Sequence, residues 1–184
     1  MRILGVDPGS AHTGYGCIEP SGSSYRVLTC GVLSPPVSGT FPEKLLAVYA
    51  GLATLVREYE PVVVAIEDLF YARNARSALK LGHVRGVAML AASEAGLPVA
   101  EYSPTEVKRA VVGYGRAEKK QVQSMVMLLL GLATPPSRFD VSDALAVAIC
   151  HAHSIRPADS DAEPAVSRRA PRSWRRYRPD GGGH

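Results

Sequence analysis

The chain has 184 residues, 46% of them hydrophobic, and a formal net charge of +4, which suits one domain of roughly 150 residues and a short extension. No apolar run approaches the roughly 18 residues of a membrane span, and the first residues lack a signal-peptide pattern, so we expect neither a membrane protein nor a secreted one. The three scattered cysteines do not make a disulfide framework and favour a reducing, cytoplasmic location.

The first part of the chain predicts three strands. Residues 2–7 form an apolar run that ends in Asp7, and the turn sequence Pro8-Gly9-Ser10 follows directly. Residues 13–18 and 25–33 have the composition of two more strands. Because the separations are short, we expect these strands to form an antiparallel meander.

A helix and a buried strand come next. Residues 41–59 carry an apolar stripe at helical spacing, and Thr40 and Glu43 have the spacing of a capping box. Residues 62–67 are apolar on both faces and end in Glu67, as is typical of a central parallel strand.

The second half alternates helix and strand. A long helix ends before Gly96, a short strand follows, and three helices complete the body. The predicted elements are a strand at 98–102 and helices at 75–95, 104–112, 118–130 and 139–154. This order predicts an α/β fold for residues 1–155, with a mixed five-stranded sheet and helices on both faces.

Residues 156–184 form a basic tail rich in Pro, Gly, Ser and Arg, with only Trp174 and Tyr177 as large rings. Such a composition buries too little apolar surface to fold, so the tail is predicted to be disordered. The tail could hold nucleic-acid phosphates or could be a solubilising extension, and composition does not separate these two roles.

Four acidic residues stand out because they lie on three predicted elements. Asp7 and Glu67 end buried strands, where a carboxylate is costly without compensation, and Asp140 and Asp143 share one face of the last helix. If these elements meet, the four carboxylates repel one another unless divalent cations neutralise them. The pattern therefore indicates an Mg²⁺ or Mn²⁺ site suited to two-metal phosphodiester cleavage.

Each acid taken alone has a structural alternative. Asp7 could form the turn at Pro8-Gly9, and Asp140 could cap its helix together with Ser137. Glu67 suits neither role. The four acids together favour a functional site.

Basic and aromatic residues near Glu67 and near the predicted helix at 118–130 indicate contacts with nucleic acid. A ring in the loop after Glu67-Asp68-Leu69 could stack on an unpaired base. Solvated helix faces and core packing are the alternatives for these positions. The candidate DNA contacts are Phe70, Arg73, Arg76, Lys80, Lys108, Arg116, Lys119 and Lys120.

Several segments occur in the same order as in a known family, and together they cover roughly residues 1–153. They are Asp7-Pro8-Gly9-Ser10 with Thr13-Gly14-Tyr15-Gly16, Ala65-Ile66-Glu67, Asn74-Ala75 with Ser77-Ala78-Leu79-Lys80-Leu81-Gly82, Val111-Val112-Gly113, and Asp140 with Asp143-Ala144-Leu145-Ala146. The chain thereby resembles the RuvC-type Holliday junction resolvases, bacterial endonucleases with a ribonuclease H-like fold.

The resemblance implies a catalytic centre in which the four acids bind two Mg²⁺ ions, with Mn²⁺ as an alternative. It also implies a homodimer that nicks a four-way DNA junction symmetrically during recombination and repair, together with a branch-migration helicase complex. Lys108 and Lys119 match basic positions near the scissile phosphate, and Phe70 matches a base-stacking position.

Small residues at Ala78, Gly82 and Gly86 recur at four-residue intervals on one helix. The resemblance places part of this helix at the dimer interface. The residues alone leave open whether this face packs within one subunit or between two.

Other classes share some of these cues. The Asp-Pro-Gly-Ser loop is also similar to the phosphate loop of actin-like and sugar kinases, although those proteins need two such domains. A junction-binding module without catalysis and a nuclease acting on RNA are further alternatives. Metal-dependent cutting of a branched DNA separates all of these classes.

Overall fold

The computed structural model describes residues 1–22, 24–68 and 74–155. Within them a five-stranded sheet has the order β3-β2-β1-β4-β5. The strands are β1 (Ile3–Asp7), β2 (Thr13–Ser21), β3 (Ser24–Leu33), β4 (Val63–Glu67) and β5 (Val99–Tyr102). The helices are α1 (Phe41–Tyr59), α2 (Ala75–Glu94), α3 (Pro104–Val112), α4 (Lys119–Leu129) and α5 (Phe139–Ile155). Strands β1, β2 and β3 pair antiparallel while β1, β4 and β5 pair parallel, so the predicted mixed sheet is confirmed.

The predicted boundaries are close to those observed, and the largest difference is in the β2–β3 hairpin. Strand β2 continues to Ser21 instead of ending at Ile18. Strand β1 pairs with β2 only as far as Ile18, so the continuation has a free edge that tolerates Pro20. Gly22, with a φ of 59°, then allows the chain to reverse tightly.

Local signals account for several helix ends. The capping box before α1 is present: the Glu43 carboxylate accepts hydrogen bonds from the Thr40 amide at 2.6 Å and the Thr40 hydroxyl at 2.8 Å. Gly96 follows α2 with a φ of 71°, the left-handed conformation that commonly ends a helix. None of the helices in the described ranges is long and apolar enough to span a membrane.

The sheet separates two apolar cores. Leu4, Val6 and Ile66 face α1 and α2, whereas Ile3 and Ala65 face α3, α4 and α5. Because side chains alternate along a strand, Asp7 and Glu67 fall on the α5 side of the sheet. The strand pattern therefore fixes which helices can share a site with these two acids.

Helix α5 lies unusually close to the sheet because the strands beneath it carry glycine. A methyl group on Gly5 would overlap the carbonyl oxygen of Ala144 and lie 2.9 Å from the Cβ of Ala148. A methyl group on Gly14 would overlap the backbone carbonyl of Asp140. A side chain at either position would push α5 away from the ends of β1 and β2.

We therefore expect Gly5→Ala to lower the free energy of unfolding by about 1–3 kcal/mol, the usual effect of overpacking a core. Urea denaturation followed by circular dichroism measures this change. Gly39→Ala is the matched control, because its Cβ would come no closer than 3.2 Å to a described atom, in the exposed ring of Pro36, instead of overlapping a helix backbone. A Gly5→Ala variant as stable as the parent would show that α5 is free to shift.

Candidate active site

Asp7 and Glu67 lie side by side at the ends of two parallel strands. The register pairs Gly5 with Ala65 and Val6 with Ile66, so the next residue of each strand stands at the same level. Both side chains point to the α5 face by strand alternation. Two carboxylates are thus held at one edge of the sheet by backbone pairing alone.

The first turn of α5 brings the other two acids to the same edge. Gly14, beneath the Asp140 backbone, is the partner of Asp7 in the β1–β2 ladder. Asp140 and Asp143 are three residues apart and share one helical face. Since α5 begins at Phe139, the residue before the helix is Arg138 rather than Ser137, and the capping box considered from the sequence is not formed.

Burial and mutual repulsion make ionisation of the strand acids unfavourable. The pKa of Asp7 is raised to about 8, first by burial and then by the charges of Asp143, Glu67 and Asp140. The pKa of Glu67 is raised to about 7, by burial and by Asp143, although Lys119 and Lys108 act in the opposite direction. The acids are therefore close enough to perturb one another strongly.

Lys119 is the basic residue most closely tied to the acids. Its Nζ donates a hydrogen bond to Oδ2 of Asp143 at 3.0 Å and lies 6.0 Å from the centroid of the Phe139 ring. Burial lowers the pKa of Lys119, but the bond to Asp143 and the charges of Asp143, Asp7 and Glu67 raise it overall. Lys119 thus remains a full positive charge beside the carboxylates.

A small cleft opens between the acids and the two lysines. Its volume is about 180 Å³. Its walls combine acidic, basic and apolar side chains from β4, α3, α4 and α5. They are Glu67, Pro104, Val107, Lys108, Lys119, Val122 and Asp143.

Four of the other predicted contacts are described, and they do not line this cleft. Arg76 and Lys80 are exposed on α2, and the Lys80 Nζ lies 5.8 Å from the centroid of the Phe41 ring. Arg116 and Lys120 are exposed beside the start of α4. Phe70 and Arg73 lie outside the described residues, as do residues 156–184.

Two of the acids face basic side chains. Besides the Lys119–Asp143 pair, Nε of Arg138 donates to Oδ2 of Asp140 at 3.1 Å. Across the described ranges, no three acidic, histidine or cysteine side chains already converge as a metal-binding group. Arg138 was not predicted, and its position two residues before Asp140 is the only signal in the sequence.

A second ionic group lies behind the site, on the α2 face of the sheet. Arg85 of α2 contacts the carboxylates of Asp68 and Glu101. Asp68 directly follows Glu67 in the chain. Sequence analysis did not identify this group, because its members are widely separated and only the sheet brings them together.

Comparison with known proteins decides the family. The family model for crossover junction endodeoxyribonuclease RuvC matches residues 3–151. The chain belongs to the RuvC family. The matched range includes all four acids as well as Lys108 and Lys119.

Individual RuvC proteins are similar over nearly the whole domain. The crossover junction endodeoxyribonuclease RuvC of Trichlorobacter lovleyi is 51% identical over 181 residues, which cover 97% of this chain and all of the relative. The RuvC of Chloroflexus aggregans is 49% identical, over 84% of this chain and 94% of the relative. The structure of Thermus thermophilus RuvC in complex with a Holliday junction substrate has a TM-score of 0.81 at 34% identity, covering 85% of this chain and 95% of that one.

Membership of the RuvC family settles the class of enzyme and the fold. The chain is an endodeoxyribonuclease with a ribonuclease H-like fold. RuvC nucleases are metal-dependent. The kinase, RNA-directed and non-catalytic alternatives raised by the sequence are therefore wrong.

The raised pKa of Asp7 predicts a pH-dependent stability. In the unfolded chain this carboxyl titrates near 3.8 and in the folded protein near 8, so the folded state holds more protons between these values. Stability therefore falls as pH rises through this interval. Each pKa unit corresponds to about 1.4 kcal/mol of stability, and partial solvent screening reduces this contribution. We therefore expect Asp7→Asn to stabilise the protein by about 2 kcal/mol at pH 8.5.

Urea denaturation in a chelator, at pH 5 and at pH 8.5, measures this effect. The difference between Asp7→Asn and the parent should be small at pH 5 and large at pH 8.5. Glu58→Gln, an exposed substitution near the end of α1, is the control and should show no such trend. A constant difference at both pH values would contradict the charge repulsion at Asp7.

Proposed function

We propose that Asp7, Glu67, Asp140 and Asp143 bind two divalent cations, Mg²⁺ or Mn²⁺, and that this centre nicks four-way DNA junctions. The observation that carries the proposal is the placement of Asp7 and Glu67 at one sheet edge, under the first turn of α5 with the other two acids. A small cleft beside them also contains Lys108 and Lys119. Buried, mutually repelling carboxylates next to phosphate-binding groups suit metal-assisted hydrolysis. The RuvC structure solved with a Holliday junction substrate supports the same substrate for this chain.

The donor set fits hard cations. All four candidate ligands are carboxylates, which suit Mg²⁺ and Mn²⁺ better than softer metals. Cations would replace the protons that Asp7 and Glu67 otherwise retain, and would relieve the repulsion that raises their pKa. When bound, such a pair of ions activates the attacking water and stabilises the leaving 3′ oxygen.

The protein residues supply positioning around this centre. Strand pairing holds Asp7 and Glu67 at one level, and α5 carries the other two acids. Lys119 donates to Asp143 at 3.0 Å, so a small movement of its long side chain can transfer this hydrogen bond to a phosphate oxygen. Lys108, whose charge is felt by Glu67, supports the phosphate from the other wall of the cleft.

Further residues bind the arms and the centre of the junction in this proposal. Basic side chains that contact phosphates give affinity without base specificity. A ring after Glu67 can stack on a base exposed at the crossover. The residues assigned to these contacts are Phe70, Arg73, Arg76, Lys80, Arg116 and Lys120.

Glu67→Gln should lower the rate of junction cleavage by orders of magnitude, because the amide cannot provide the charge that holds a cation. Asp7→Asn should behave in the same way. The measurement is single-turnover cleavage of a synthetic four-way junction in Mg²⁺ and in Mn²⁺. Junction binding, measured by gel shift in a chelator, should persist in both variants.

Glu58→Gln removes one negative charge at an exposed site and controls for the change in net charge. A linear duplex with the same arm sequences tests selectivity, and it should be cut poorly because it lacks the branched shape. Cleavage at the parental rate by Glu67→Gln would overturn the proposed metal site.

We further propose a homodimer formed through the α2 face that carries Gly82 and Gly86. A Cβ placed on either glycine meets no heavy atom of the described residues within 4 Å, so this face is not packed against the described part of the subunit. Leu79 and Leu90 beside it are 65% and 60% exposed. An open apolar groove of about 600 Å³ lies along this face, and a second copy of α2 would cover it.

A dimer matches the symmetry of the substrate. A four-way junction has near two-fold symmetry, and two symmetric nicks are most simply made by a C₂ dimer with two active sites. Resolution of this kind belongs to homologous recombination and repair. A branch-migration helicase complex, implied by the family resemblance, would present the junction.

Gly86→Trp should convert the dimer to a monomer, because the ring prevents close approach of two helices, while its Cβ clashes with no described atom of the subunit. Sedimentation velocity measures the association state, and circular dichroism checks the fold. Thr54→Trp, at an exposed position of α1, is the matched control and should remain dimeric. A parent protein that is monomeric at working concentration and still makes paired cuts would contradict the dimer.

A further inference from the structure

The end of strand β4 is held from its rear face by one arginine. Nη2 of Arg85 lies 2.9 Å from Oδ1 of Asp68 and also contacts Oε2 of Glu101. The three residues come from α2, the end of β4 and β5. A single guanidinium therefore ties the helix to two neighbouring strands.

This ionic group is semi-buried. The side chains of Arg85 and Asp68 are 26% and 21% exposed, and that of Glu101 is 39% exposed. Nε of Arg85 is buried, with no hydrogen-bond partner in the described part of the chain. Partial burial strengthens the charge interactions relative to a surface ion pair, and it fixes the arginine in one orientation.

The position of the group relative to Glu67 suggests a role in the active site. Asp68 is the neighbour of Glu67 in the chain and points to the opposite face of the sheet by strand alternation. Its amide donates a hydrogen bond to the Tyr102 carbonyl at 2.7 Å. Arg85 adds a second restraint, through the Asp68 side chain, at the point where the strand ends.

We infer that Arg85 is a positioning residue that fixes the Glu67 carboxylate through Asp68. The inference rests on the proposed function, in which Glu67 is a metal ligand. Ligands must be held to within about 0.5 Å to act together, and groups behind them provide that restraint. Glu101 anchors Arg85 to β5 and thus keeps the guanidinium beside Asp68.

The closing experiment compares variants of this group by metal binding as well as by cleavage. Arg85→Met and Asp68→Asn should each weaken Mn²⁺ binding and slow single-turnover junction cleavage by about 10–100-fold, the usual range for residues behind a metal ligand. Electron paramagnetic resonance of free Mn²⁺ measures the affinity without DNA. Junction affinity in a chelator should change by less than about twofold, because neither residue is placed against DNA.

Two controls separate positioning from general stabilisation. Arg2 also bridges two acids, Glu19 and Glu60, at the other end of β1, so Arg2→Met should lower stability but leave Mn²⁺ affinity unchanged. Arg85→Lys retains one charge–charge contact and should recover part of the affinity lost in Arg85→Met.

The inference is overturned if folded Arg85→Met binds Mn²⁺ and cleaves within about twofold of the parent, since residues behind metal ligands normally have larger effects. If Arg85→Met does not fold, the near-isosteric Asp68→Asn decides by the same criterion. Glu67→Gln, run beside these variants, distinguishes the two ideas. Normal cleavage by Glu67→Gln overturns the proposed function itself, whereas a defect in Glu67→Gln with normal Arg85 and Asp68 variants overturns only the positioning role.

Discussion

The contact between α5 and the strands beneath it determines where the acids of this protein can meet. Gly5 and Gly14 remove the side chains that would otherwise separate the helix from β1 and β2, and the helix backbone rests directly on the sheet. Asp140 and Asp143 lie near the start of that helix, and Asp7 is the last residue of β1 below it. Backbone atoms in contact cannot move apart as easily as flexible side chains can. Packing of α5 on the strands therefore sets the positions of Asp140 and Asp143.

This placement of the acids has an electrostatic cost. Bringing Asp7 and Glu67 under α5 raises the pKa of both groups toward neutrality, and Lys119 and Arg138 offset part of the negative charge. In the metal site proposed above, the same charges that repel each other would attract divalent cations. Stability at this edge of the sheet is therefore lower, and the negative electrostatic potential there is stronger.

Much of the fold could be predicted because its signals are local. The apolar runs ending in Asp7 and Glu67 defined both strands, but the face on which each acid lies follows only from the packing of the helices. The capping box of Thr40 and Glu43 placed the start of α1 correctly. The β2–β3 hairpin was predicted too short, because the pairing of Pro20 depends on a strand edge that only the sheet order reveals.

Side-chain partners across the fold were beyond prediction. Lys119 and Asp143 are 24 residues apart, and their pairing depends on how α4 and α5 cross. The Arg85 group depends on α2 lying over the end of β4. The same limit applied to Gly82 and Gly86, whose spacing indicated a close contact but not its partner. The open space above both glycines shows that neither is packed against the described part of the subunit.

The size of the cleft has a consequence for inhibition. At about 180 Å³, it is smaller than the roughly 300–1,000 Å³ of pockets that enclose drug-sized ligands. A compound that fills this cleft alone would therefore be a small fragment, and the lysines in its walls favour an anionic one. Val107 and Val122 also line the cleft, although both are almost fully buried, so such a fragment would meet lysines and a little apolar surface as well as acids.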